Sequence, residues 1–306
     1  MREMLIVGAG PAGVSAALSA RSLGLDAEVI DAAPTAGGQL QLVYYHPTDV
    51  AGVPAGEGAD IAAAYARQMA EAGITVGYGM RATALDAPAD GSSAPVVHIA
   101  EGGPIAARAL LIATGLRRRR LGVEGEEAFG GRGVSYSATR DRADLAGRTV
   151  VVVGGGDAAF ENALLLEEVG CRVILVVRGA PRAREEFRDR VAARPRIAVH
   201  ERTRVTALLG DERLGRVRME GPEGAREQPA EGVVIKIGAV PNTEWCAAAL
   251  ARDAEGFLRV NADLETSRPR VWAAGDVTRP RRLAIAVALG QGALAVAGIR
   301  EELRRR

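Results

Sequence analysis

The stretch that decides the fold is Met4-Leu5-Ile6-Val7-Gly8-Ala9-Gly10-Pro11-Ala12-Gly13, an apolar run ending in three spaced glycines. Four apolar residues in a row suit a strand buried on both faces, as in a parallel sheet. A helix is expected from Pro11, since proline is tolerated in a first helical turn. Gly8 permits the tight turn, Gly10 lets backbone approach a pyrophosphate, and Gly13 lets helix and strand pack closely. The free N–H groups and dipole of the helix start attract an anion. Asp31 ends the next strand, where an acid hydrogen-bonds a ribose hydroxyl.

The same grammar returns at Val150-Val151-Val152-Val153, followed by Gly154-Gly155-Gly156-Asp157-Ala158-Ala159. Here the second strand, about 171–177, ends at Arg178 rather than an acid. An acid would repel a 2′-phosphate and an arginine pairs with it, so Arg178, Arg182 and Arg184 point to NADP, with NADH the alternative. Between the two corners the pattern predicts a long functional loop over 34–58 and a helix over about 58–72, with Ile61, Tyr65, Met69 and Ala72 at helical spacing. It also predicts a meander over 80–107 and a strand at 110–112. After the second corner come a helix over 157–169, a meander over about 203–230 and a strand at 233–235. The chain then returns to a strand at 271–274 and an Ala-rich helix from about 283.

The expected fold class is therefore α/β, with two Rossmann-like, three-layer ββα domains. One dinucleotide-binding domain (118–238) is inserted into another (1–117 and 239–306).

With a net charge of +1, 48% hydrophobic and 25% charged residues, the chain has an ordinary globular composition. Nothing in it argues for nucleic-acid or membrane binding. No basic lead and apolar h-region open the chain, and the expected location is cytoplasmic. Lys236 is the single lysine; every other basic side chain except the three histidines is arginine. Cys171 and Cys246 form no C-x-x-C or metal-ligand spacing, so no metal is expected.

The chain resembles low-molecular-weight thioredoxin reductases from end to end. The matching segments are Gly8 to Gly13, Gly37-Gly38-Gln39-Leu40, Ala113-Thr114-Gly115, Gly154 to Ala159, Gly238-x-x-Pro241-Asn242-Thr243 and Ala273-Ala274-Gly275-Asp276-Val277. The resemblance implies FAD on the outer domain, NADPH on the inner one, and a homodimer. It puts Gln39 and Leu40 near the flavin, Thr114 and Gly115 along the FAD, and Asp276 on the ribityl chain. Ala82 joins the same set, and a helix starting near Leu283 and Ala284 would aim its N–H groups at the flavin edge.

One segment departs from that pattern. Where thioredoxin reductases carry Cys-Ala-Thr-Cys-Asp, this chain reads Ser137-Ala138-Thr139-Arg140-Asp141. Neither a hydroxyl nor a guanidinium performs disulfide exchange, so no catalytic residue is assigned there and the flavin itself is the expected redox centre. The two cysteines are expected to be buried packing residues.

A second resemblance is to the dithiol-free, thioredoxin-reductase-like ferredoxin–NADP reductases. It rests on Gly-Gly-Gln-Leu, on Tyr44 five residues after Gln39, and on Asp49-Val50-Ala51-Gly52-Val53-Pro54. It implies Tyr44 stacked on the flavin and Asp49 nearby. Those reductases continue into a C-terminal segment with a second stacking aromatic, and here the chain stops at Arg306. Arg117 to Arg120, with Arg279, Arg281 and Arg282, are candidates to dock a small acidic electron carrier. The rival readings are a disulfide reductase of atypical mechanism and a non-catalytic redox sensor.

Overall fold

The computed structural model describes residues 1–53 and 55–305; Pro54, the last residue of the second resemblance's motif, and Arg306 lie outside them. The chain divides into two compact units, Met1–Arg117 with Val240–Arg306, and Arg118–Ala239.

The outer unit is built on a seven-stranded sheet. Arg2–Val7 lies centrally, parallel to Ala27–Asp31 on one side and to Ile105–Ile112 on the other. Val76–Tyr78 extends the parallel part, and Val271–Ala273 pairs parallel with Ile105–Ile112. Met4, Leu5 and Ile6 are each at most 1% exposed, as expected of a strand covered on both faces. Burying one such side chain contributes roughly 1.5–3 kcal/mol. The expected meander is Ala82–Asp86 and Val96–Ile99, paired antiparallel, with Val96–Ile99 pairing in turn with the start of Ile105–Ile112. The latter is thus one strand of eight residues, where the sequence pattern separates a meander end from a buried strand. It is antiparallel to Val96–Ile99 and parallel to both Arg2–Val7 and Val271–Ala273, and alternation gives way to a continuous apolar run along its length.

The helix Pro11–Ser22 packs on the final helix, Ile285–Arg305. A Cβ on Gly292 would lie 2.1 Å from the Ala12 carbonyl oxygen, so only glycine allows that crossing. The final helix begins two residues later than the sequence suggests, leaving Leu283 exposed and Ala284 ahead of it. The expected loop 34–58 contains a short 3-10 turn, Gly38–Leu42, and ends in the helix Gly58–Glu71 with a capping box between Glu57 and Asp60.

The inner unit repeats the plan with a five-stranded parallel sheet in the order Ile197–His200, Arg172–Val176, Thr149–Val153, Gly232–Ile235, Val134–Ser135. The expected second meander is the antiparallel sheet Arg204–Gly210, Leu214–Gly221 and Gly224–Pro229. Three further elements lack a strong period in the sequence: the helices Ala138–Leu145 and Glu185–Ala192 and the two-residue strand Val134–Ser135. Among the described residues no helix is long and apolar enough to cross a membrane.

Candidate active site

In the outer unit four sequence-distant segments meet at the first glycine corner. Gly8 has φ +114°, and a Cβ there would lie 2.3 Å from the Ala113 carbonyl oxygen, so strand end and corner are pressed together. A Cβ on Gly13 would fall 1.7 Å from the Gly8 oxygen, which is the close helix–strand packing expected of the third glycine. Gly10 has nothing within 4 Å of its Cβ position, so its side of the backbone is open to a ligand. Pro11 and Ala12 open the helix.

Asp31 accepts the backbone N–H of Ala9 at 2.6 Å and of Ala33 at 2.7 Å, which holds the acid beside the corner. The Gly37 N–H donates to the Ala9 carbonyl at 2.8 Å, and Gly38 faces the Gly10 backbone. Leu40 is buried. Gln39 reaches Asp276, its amide nitrogen 3.5 Å from the carboxylate. Gly275 is backed by Ala12 and donates its N–H to Gln291 at 2.8 Å.

Thr114 and Gly115 are clasped by Asn242 through three hydrogen bonds of 2.8–3.0 Å. Tyr44 is half-buried just after the 3-10 turn, and Ala82 half-buried at the start of its strand. Asp49 is exposed and paired with Arg282 at 2.8 Å.

The residues present suit FAD. Burial pushes the Asp276 carboxyl up from its ordinary value, and Gln39's long contact is its only side-chain hydrogen bond among the described residues. A half-buried carboxylate with so little donation is an acceptor for hydroxyl groups.

The inner corner has its own geometry. Gly154 has φ +149°, and a Cβ there would lie 2.2 Å from the Lys236 carbonyl oxygen; Gly156 faces open space. The segment after Arg172–Val176 folds back on the corner, with the N–H groups of Arg182 and Ala183 donating to the Gly155 carbonyl at 2.6 and 3.0 Å. Ala158 is exposed at the helix start and Ala159 buried beneath it.

The three arginines are not equivalent. Arg184 donates from its backbone N–H and its Nε to Asp157, both at 2.7 Å, and lies over the Phe187 ring. Its backbone N–H first, then its side chain, holds the Asp157 carboxyl below the usual range. Arg178 and Arg182 are exposed, and no carboxylate pairs with them among the described residues.

The segment in the dithiol position is a helix start. Ser137, 6% exposed, caps Ala138–Leu145 by accepting the Arg140 N–H. The Arg140 guanidinium grips Asp141 at 2.6 and 2.7 Å, and Ser135 also donates to Asp141. Burial by itself raises the Asp141 carboxyl, but these donors outweigh it and hold it low. Cys171 is fully buried in the inner unit and donates to the Leu145 carbonyl; Cys246 is 1% exposed in the outer unit. Burial raises both thiols, Cys246 to about 12.

The arginines of the expected docking run are largely balanced. Arg117 pairs with Glu244 at 2.6 Å, Arg120 with Glu127, and Arg279 with Glu255 at 2.7 Å and Asp253 at 3.1 Å. The sequence reading missed Asn242's role as a clasp and Lys236's place beside Gly154. The one signal for the latter was its being the only lysine.

Two glycine corners, each following a strand with parallel neighbours on both sides, define a fold that binds two dinucleotides. The chain belongs to the pyridine nucleotide-disulphide oxidoreductase family, whose model matches residues 2–292. Its class is that of NAD(P)H-dependent flavoprotein oxidoreductases, with FAD and NADPH as cofactors. It is 32% identical over 297 residues to a component of the alkyl hydroperoxide reductase of Pseudomonas putida, covering 96% of this chain but 56% of that longer protein. It is 33% identical over 319 residues to a ferredoxin–NADP reductase of Thermus thermophilus, covering 96% and 90%. The fold is that of the Lactococcus lactis thioredoxin reductase (TM-score 0.83, 24% identity, all of both chains).

Proposed function

We propose that this protein is a dithiol-free NADPH reductase that passes electrons to a ferredoxin- or flavodoxin-type carrier. FAD lies on the outer unit, NADPH lies on the inner one, and the chain works as a homodimer. The observation that carries this reading is the closed helix cap at 137–141: a buried serine and an arginine locked to Asp141 stand where a sulfur relay would be. The buried, high-pKa cysteines offer no thiolate in its place. When bound, FAD supplies the electron-storing chemistry between hydride from NADPH and the outside acceptor. The chain's own part is grip and orientation. Gly10 and the start of Pro11–Ser22 receive a diphosphate, Asp31 a ribose, and Asp276 the flavin's hydroxylated chain. On the inner unit Arg178 and Arg182 receive the 2′-phosphate, while Arg184 braces Asp157. The similarity to the Thermus thermophilus ferredoxin–NADP reductase supports the choice of carrier.

Anaerobic stopped-flow mixing tests it. NADPH should bleach the flavin band, and reduced ferredoxin or flavodoxin should then form as the band returns. Return of the band with a disulfide substrate alone would replace this reading with that of a disulfide reductase, and no bleaching by either nucleotide would leave a sensor.

A further inference from the structure

Lys236 follows the strand Gly232–Ile235, half-buried, with its backbone N–H bonded to the Val153 carbonyl at 2.7 Å and its own carbonyl against Gly154. Among the described residues its ammonium has no hydrogen bond or ion pair. An amine on a half-buried site without an acceptor is costly, and such a group at a binding edge is a candidate to meet a ligand anion.

The sheet order says which ligand end it faces. From Thr149–Val153 the strands Arg172–Val176 and Ile197–His200 run to one side, and Gly232–Ile235 and Val134–Ser135 to the other. A dinucleotide lies across such a switch point at the carboxyl ends of the strands, with its diphosphate on the helix start. Arg178 lies two residues past the end of Arg172–Val176 on the first side, so the 2′-phosphate and its adenosine belong there. The nicotinamide riboside half then crosses to the second side, where Lys236 stands.

Resting on the inner-corner reading above, we infer that Lys236 is a nucleotide-binding residue that contacts the nicotinamide-side phosphate and ribose of NADPH. It thereby anchors the hydride-donating half of the nucleotide independently of the arginines that hold the adenosine half.

Burial first, reinforced by Arg118 and opposed by Glu161, pushes this amine down to about 8. A bound anion favours the ammonium, so its pKa rises in the complex. The contribution of Lys236 to affinity is therefore complete below about pH 8 and is lost as pH rises through the higher value of the complex.

As the only lysine, Lys236 can be read without substitution. Trace acetylation of the flavin-loaded protein, followed by peptide mass spectrometry, gives its reactivity relative to the exposed Met1 amine. NADP+ at saturation should slow acetylation of Lys236 at least tenfold, whereas adenosine 2′,5′-bisphosphate, which lacks the nicotinamide riboside half, should leave it unchanged. Equal protection by both ligands, or by neither although calorimetry shows both bound, overturns the inference and spares the inner-corner reading. Failure of both to bind overturns that reading and this inference with it. In parallel, Lys236→Met should weaken NADP+ about tenfold and adenosine 2′,5′-bisphosphate less than twofold, and should flatten the pH dependence of NADP+ affinity above pH 8. An equal loss for both ligands also overturns it.

Discussion

Asn242 and Thr114 bond each other twice: the Thr114 hydroxyl donates to the Asn242 carbonyl and the Asn242 amide donates to the Thr114 carbonyl, both at 2.8 Å. They lie 128 residues apart in sequence, and the pair closes the outer unit around its discontinuity. The Asn242 side-chain oxygen also accepts from Arg117 at 2.9 Å. Asn242→Ala strands the half-buried Thr114 carbonyl and removes the Arg117 contact, while the two bonds made by the backbone of residue 242 remain. It should cost roughly 1–3 kcal/mol, seen as a lower urea midpoint with an unchanged slope in the FAD-loaded protein. An unchanged midpoint would show that the clasp contributes nothing to stability.

The unequal arginines give an ordered prediction. Arg178→Ala should weaken NADPH roughly tenfold to a hundredfold, the range for one or two charge-assisted bonds, and leave NADH within about twofold. Arg184→Ala should weaken both nucleotides to the same degree, because its bonds go to Asp157 at the helix start. Titration by flavin-band bleaching or calorimetry gives the four affinities. A NADPH-selective loss at Arg184 instead would mean that Asp157 releases it to the phosphate.

What was legible in the sequence was what short-range sterics dictate. Gly8 and Gly13 are forced by contacts with Ala113 and with each other, so strand, corner and helix could be read from ten adjacent residues. Arg184 could not be told from Arg178, because its carboxylate partner sits 27 positions away on another element. The same holds for Arg282, whose partner Asp49 belongs to a distant loop. Ala138–Leu145 escaped for a different reason: it buries only Ala138 and Leu145, so no apolar stripe marks it. Its one sequence signal is the cap at Ser137, a position more conspicuous for the sulfur it lacks.

The cysteines should be silent in the native protein. With Cys246 pushed up to about 12 and Cys171 raised by burial, neither holds thiolate at neutral pH. An aromatic disulfide reagent at pH 8 should release no colour from the folded, flavin-loaded protein and two equivalents after denaturation. The Cys171→Ser, Cys246→Ser double variant should keep NADPH-dependent flavin bleaching and carrier reduction at wild-type rates. Loss of carrier reduction with bleaching intact would show that a thiol relay operates after all.

Asp276 should trade stability for cofactor retention. Its carboxyl is raised by burial, so protonation of the folded protein is easier than that of the unfolded chain. For a group raised in this way, stability is fully present below the unfolded pKa, about 3.9, and is lost as pH rises through the folded value. Asp276→Asn removes that loss. The apoprotein of the variant should therefore match wild type near pH 3.5 and become the more stable of the two as pH rises towards neutrality, by thermal melting. With FAD the order should reverse, since the amide accepts hydroxyl groups less strongly than a carboxylate, and the variant should lose flavin on dilution. If the variant apoprotein is the less stable at neutral pH, the carboxylate is satisfied by the protein itself and its assignment to the flavin's hydroxylated chain fails.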